Sequence, residues 1–199
     1  MDKELQEKLE TACWIAHTLF ARGKAAGSSA NMSFRHNGHI FITSSGTCFG
    51  SLTPEHFTET DMKGTVLAGR KPSKEFPLHQ ALFEKGEEIG AVVHTHSLYS
   101  TLWSCLPQVD ETDIVPEYTP YLRMKVGTIG LVPYARPGSQ ELFALFRQRA
   151  AKSDGFLLAH HGPIVPGKTL LDAFYGLEEL EESAAIAWQL QDKKIPQLR

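Results

Sequence analysis

Two short apolar runs, Ala91–Val93 and Phe156–Ala159, each break off at histidines: His94-Thr95-His96 after the first, His160-His161-Gly162 after the second. Runs this short are too brief for helices and read as buried strands. Further strand-like segments are His39–Thr43, which alternates, Thr65–Leu67 before a Gly-Arg-Lys-Pro turn, and Pro163–Val165, which pairs with Phe156–Ala159. Helical spacing is found elsewhere. Glu4–Arg22 carries Leu5, Leu9, Ala12, Cys13, Ala16, Leu19 and Phe20, and gives way at Gly23 and Gly27. A helix beginning after Ser73 would carry Phe76, Leu78, Leu82 and Phe83, and another would follow the first histidine pair through Leu98, Leu102 and Trp103. Gly138–Ala150 reads as helical, and Thr169–Leu190 is the longest helix. Its start has Thr169 three residues before Asp172, a variant of the capping box. Leu170, Ala173, Phe174, Leu177, Leu180, Ala184 and Trp188 form its apolar face. The mixture reads as α/β or α+β with a central sheet, whose strand order the pattern leaves open.

At 199 residues the chain is long enough for one domain with a sizeable core, and no repeat, low-complexity tract or Pro/Gly-rich linker divides it, so residues 1–199 read as one unit. A net charge of −3 gives no basic footprint for nucleic acid, while leaving room for a local cationic pocket. No apolar run approaches the length of a membrane span, and the opening MDKELQEKLE is charged and unlike a signal peptide. The three cysteines, Cys13, Cys48 and Cys105, are odd in number and widely spaced; they read as buried reduced thiols of a cytoplasmic protein.

The histidines carry the chemistry. Residues two apart on an extended segment project to the same side, so His94 and His96 can face one metal ion. Adjacent residues on a strand face opposite ways, so only one of His160 and His161 should join them. Three histidines with an open position suit a catalytic zinc site, and no cysteine pairs exist for a structural one. The other histidines, at positions 17, 36, 39, 56 and 79, lack partners and read as surface or core residues, with only His79 worth a closer look. In Pro72-Ser73-Lys74-Glu75, Ser73 could cap the following helix, whose free amides would attract an anion. Glu75 is either a capping residue or a carboxylate near the metal. The loops GSSANMS and SSGTC, rich in glycine and hydroxyls, suit a phosphate held by backbone amides or are simply turns; neither is a P-loop.

Taken together and in order, ANMS, SSG, PSKE, HTH, TPY and HHG resemble the class II aldolase/adducin family over nearly the whole chain. The resemblance implies an α/β/α sandwich with a mainly antiparallel sheet, and a homotetramer with active sites between subunits. By position it makes His94, His96 and His161 the metal ligands and Glu75 the acid/base residue. It places Asn31, Ser45, Gly46, Ser73 and Lys74 on the substrate phosphate, and brings Tyr121 to a neighbouring subunit's site as a proton donor. The expected ion is zinc, with manganese or cobalt possible on ligand type. Ala30 departs from the glycine of many members, and its methyl could narrow the approach of phosphate. SGTCFGSLTPE, KPSKE, GLVPYARPGS and FLLAHHGPIV are similar to the subgroup of bacterial 3-oxo-tetronate 4-phosphate decarboxylases, where Lys74 hints at an extra anionic group on a phosphorylated sugar-acid substrate; the plain alternative is a solvated lysine. The expected reaction is then metal-dependent loss of carbon dioxide to give dihydroxyacetone phosphate, with sugar-phosphate aldol cleavage as the alternative and a non-catalytic adducin-like module as a more distant one.

Overall fold

The computed structural model describes residues 2–108 and 110–198. Helix α1 (Lys3–Ala21) opens the chain, its first amides capped by the Asp2 side chain. Strands β1 (Asn31–His36), β2 (His39–Thr43), β3 (Phe57–Thr60) and β4 (Val66–Ala68) follow, then α2 (Phe76–Lys85), β5 (Ala91–His94), α3 (Leu98–Ser104) and α4 (Tyr121–Lys125). The chain ends with β6 (Ile129–Val132), α5 (Gln140–Arg149), β7 (Gly155–Leu158), β8 (Gly162–Gly167) and α6 (Leu170–Leu190). The eight strands form one sheet in the order β4-β3-β2-β1-β5-β8-β7-β6. Only the β6–β7 pair is parallel, joined through α5, so the sheet is mainly antiparallel.

Each face of the sheet has its own apolar layer. On one side Met32, Phe34, Ala91, Val93, Leu157 and Val165 pack beneath α1, α3, α4 and α6. On the other, Ile40, Ile42, Val92, Val132, Phe156, Leu158 and Ile164 pack against α2 and α5. The consecutive apolar residues of Ala91–Val93 and Phe156–Leu158 therefore feed both layers in turn, as strands covered on both faces must. The result is the expected α/β/α sandwich.

Helix α6 follows its predicted face, with Leu170, Ala173, Phe174, Leu177, Leu180 and Ala184 buried, and the Thr169–Asp172 capping box is formed in both directions. Some expectations needed correction. The strand placed at Thr65–Leu67 runs Val66–Ala68 with all three residues exposed at the sheet edge. Ser139 caps α5, so that helix begins at Gln140 rather than Gly138. Leu98 is exposed, not part of a buried helix face. Of the cysteines only Cys13 is buried, while Cys48 is half-buried and Cys105 exposed. Among the described residues no helix is long and apolar enough to cross a membrane.

Candidate active site

Strands β1, β5 and β8 lie side by side in the middle of the sheet. Their register sets Asn31, first in β1, opposite His94, last in β5, and His94 opposite Ile164 of β8. The start of one strand, the end of the next and the turn entering the third thus meet at one edge. His94, His96 and His161 converge there, with ring centroids 4.6 to 5.1 Å apart and one nitrogen of each within 4.8 Å of the others. His94 and His161 are buried; His96 is exposed.

His161 is the member of its pair that joins the cluster, though not through strand alternation. Both histidines lie in the turn between β7 and β8, where His160 adopts a left-handed conformation (φ 56°) and turns outward, its ring 5.9 Å from that of Tyr134. Gly162 follows at φ 153°, and a Cβ there would lie 2.3 Å from the Thr95 carbonyl oxygen. This close approach presses the turn of His161 against the segment carrying His94 and His96.

The electrostatics favour neutral rings. Burial is the largest influence on all three, holding His94 below the ordinary imidazole value and His96 and His161 down at about 4. His94 gives its Nδ1 hydrogen to the Pro163 carbonyl at 2.8 Å, which turns a bare Nε2 toward the cluster. That Nε2 and both ring nitrogens of His161 are buried with no hydrogen-bond partner. A buried polar atom left so costs about 1–3 kcal/mol, and a divalent ion taking one nitrogen from each neutral imidazole would satisfy His94 Nε2 and one of the two His161 nitrogens. The residues therefore fit a metal.

Glu75 stands against the same cluster. It occupies the N-cap position of α2 but makes no capping bond, and Ser73 does not cap the helix either: its hydroxyl accepts from the Glu75 amide at 3.3 Å, one position too early. The Glu75 oxygens lie 3.3 Å from His94 Nε2 and 3.4 Å from His161 Nε2, and the carboxylate accepts from Asn31 Nδ2 at 2.9 Å. Burial, the largest influence, works to raise its proton affinity; attraction to any positive charge on His94 or His161 and the Asn31 hydrogen bond work the other way, and the carboxyl sits below its usual value. Glu75 is thus ionised, and capping gave no part of its placement.

Beyond the cluster opens a cavity of about 210 Å³ lined by the two loops the sequence singled out. The segment before α2 joins them because the Ser45 amide donates to the Lys71 carbonyl and the Ser73 amide to the Thr43 carbonyl, laying Lys71–Ser73 alongside the end of β2. Ser45, Gly46, Ser73, Lys74 and Asn31 all line the cavity, as does Ala30. Gly46 has φ 79°, the left-handed turn that aims this loop. The exposed Lys74 lies near enough to lower the proton affinity of His96 and His161, and a Cβ added at Gly138 would stand 3.0 Å from its stem. Tyr121 does not line the cavity; it is exposed at the start of α4.

Two placements at the site, those of His79 and Glu181, were not read from the sequence. His79 is not partnerless: it is fully buried between Ser33 and Asn31. Of the other histidines, His36 pairs with Asp2, His39 with Glu59, His17 with the Leu52 carbonyl and His56 with Thr53. Glu181, an acid interrupting the apolar stripe of α6, is buried and accepts the Tyr99 and Ser100 amides, both at 2.9 Å, anchoring α3 behind His96. That interruption was the available signal.

Residues 10–188 match the family model described as Class II Aldolase and Adducin N-terminal domain. The chain belongs to this family. The 3-oxo-tetronate 4-phosphate decarboxylase of Escherichia coli K12 is 39% identical to it over 196 residues, covering 98% of this chain and 91% of the relative. The L-fuculose phosphate aldolase of Methanococcus maripaludis C7 is 32% identical over 90% of this chain and 96% of its own. Among solved structures, YgbL from Escherichia coli superposes with a TM-score of 0.94 at 38% identity, covering 99% of this chain and 96% of that one. Members of the family depend on a metal, and among the described residues the three-histidine cluster could bind one.

Proposed function

We propose that this protein is a carbon–carbon lyase that decarboxylates 3-oxo-tetronate 4-phosphate to dihydroxyacetone phosphate and carbon dioxide. The observation that carries the reading is the meeting of three neutral imidazoles and an ionised Glu75 at the foot of a small cavity rimmed by amides, hydroxyls and one lysine. The full-length likeness to relatives of that name supports it.

In the reaction the C1–C2 bond of the 3-oxo acid breaks, carbon dioxide leaves, and the bonding pair passes toward the C3 oxygen. When bound, a divalent ion supplies the Lewis acidity that such charge on oxygen requires. His94, His96 and His161 would hold it, and zinc is the ion proposed, with manganese or cobalt suited to the same donors. Ser45, Gly46, Ser73, Lys74 and Asn31 fix the phosphate end, which restricts the reacting carbons to one orientation. Either Glu75, once it has taken up a proton from solvent, or Tyr121, brought in by a neighbouring copy and reprotonated from solvent afterwards, delivers the proton that C2 takes up. The exposure of Tyr121 supports that division of labour and, with it, a homotetramer with sites between subunits. The three free cysteines support a reducing, cytoplasmic setting. The whole chain acts as a single catalytic domain in this reading.

The test is release of carbon dioxide and dihydroxyacetone phosphate from 3-oxo-tetronate 4-phosphate generated in situ, with and without chelator. Release that disappears on chelation and in His96→Ala supports the proposal. A chain that yields dihydroxyacetone phosphate and an aldehyde from a ketose phosphate, without carbon dioxide from the oxo acid, is an aldolase. The 32% identity to a fuculose-phosphate enzyme makes that the second reading.

A further inference from the structure

His79 lies one turn into α2, fully buried, and takes no part in the chemistry above. Burial pushes its pKa down to about 3, so the ring is neutral and carries a single hydrogen. Its Nε2 is 2.5 Å from Asn31 Oδ1 and its Nδ1 is 2.7 Å from Ser33 Oγ. Asn31 in turn donates from Nδ2 to Glu75.

The direction of every bond in this chain is dictated by the next. Asn31 places Nδ2 against a Glu75 oxygen at 2.9 Å, which leaves the amide oxygen facing His79. That oxygen accepts, so His79 must carry its hydrogen on Nε2. The bare Nδ1 then accepts, and the Ser33 hydroxyl donates to it. We propose that His79 and Ser33 are positioning residues that lock the Asn31 side-chain amide with its N–H groups turned to Glu75 and the cavity. Reversing that amide would set a carbonyl oxygen against the carboxylate, two acceptors face to face with no hydrogen between them. Asn31 lines the cavity, and its Nδ2 carries a second hydrogen beyond the one given to Glu75, so one orientation serves both the acid/base residue and the substrate. This inference rests on the cavity being the catalytic centre.

A histidine that merely fills space would be replaced equally well by any side chain of similar volume. His79→Gln keeps an N–H able to reach the Asn31 oxygen, whereas His79→Met fills the space without one. With 3-oxo-tetronate 4-phosphate as substrate, His79→Gln should keep most of the activity. His79→Met should lose about 10–100-fold in kcat, the usual effect of removing a group that orients an active-site residue, with metal content and melting temperature close to those of His79→Gln. Equal kcat for the two variants overturns the proposal. An independent readout is the imidazole nitrogen–proton correlation spectrum of the zinc-loaded full chain. It should show His79 as the Nε2–H tautomer, and Ser33→Ala should disturb that resonance; an Nδ1–H tautomer overturns the proposal, even where His79→Met fails to fold. If the unsubstituted chain releases no carbon dioxide, the proposed reaction fails while the tautomer still decides the role of His79.

Discussion

The two ends of the cavity are built from different materials. At the histidine end, side chains are fixed by the sheet itself: His94 closes β5, Asn31 opens β1 opposite it, and His161 enters β8. Glu75 is buried among them. At the other end, Ser45, Gly46, Ser73 and Lys74 sit on two loops joined to each other by backbone hydrogen bonds, with Lys74 exposed. The first end can hold a geometry to within the tolerance that proton and charge chemistry demand; the second can change residues without disturbing the sheet. The difference fits the proposed reading, in which chemistry resides at the first end and selectivity at the second. A substitution at the strand ends should abolish or cripple turnover, and one on the loops should change which substrate is held.

The strongest challenge to that division is His96→Ala, which should remove stoichiometric metal and reduce carbon dioxide release to background; elemental analysis of the purified variant alongside the assay checks both. Next comes Glu75→Gln, expected to keep the metal while kcat falls roughly 10²–10⁴-fold, as for loss of a general acid or base. A small effect in steady-state kinetics would transfer the proton to Tyr121. Acid should act on the strand-end core of the metal-free protein. His79 and His161 bind protons less readily when folded than when unfolded, so the unfolded chain takes up more protons as pH falls. Their contribution is whole above pH 6.5 and is lost toward pH 3 to 4, on the order of 2 kcal/mol for each by pH 5. Melting curves of metal-free protein between pH 7 and pH 5 should show the fall, and a flat profile would mean that these rings are less buried than described. The mildest change belongs to the loops: Lys74→Ser should raise KM about tenfold, near the lower range for a hydrogen bond to a charged group, with metal content intact. If kcat falls as far as it does in Glu75→Gln, the division between the two ends does not hold.

Much of this was legible in the sequence because the relevant signals are local. The capping box of α6, the apolar stripe behind it and the two strands ending in histidine each declare themselves within a few residues. Strand β1 was hidden because its α2-facing side is polar. Asn31 and Ser33 alternate with Met32 and Phe34, but they bond to His79 of α2 rather than face solvent, so the usual contrast of apolar-in and polar-out is absent. Strands β3 and β6 are four residues each, and Phe57-Thr58-Glu59-Thr60 carries little hydrophobic pattern. His79 could be noticed but not explained, since its partners lie 46 and 48 residues away in sequence. The strand argument allowed only one of His160 and His161 into the cluster and the family resemblance picked His161, yet the physical cause is a left-handed residue in a turn, which no period-two rule describes.

The tight seat of Gly162 against the Thr95 carbonyl has a consequence for how this chain could change over time. Any side chain there would push the β7–β8 turn off the segment after β5, so His161 would part from His94 and His96 in the same step that strains the β5–β8 pairing. Catalytic decay and structural decay are tied to one position. Drift toward an inactive relative would have to begin elsewhere, by exchanging the imidazoles themselves, and would leave the glycine behind as a relic of the ion the turn once served.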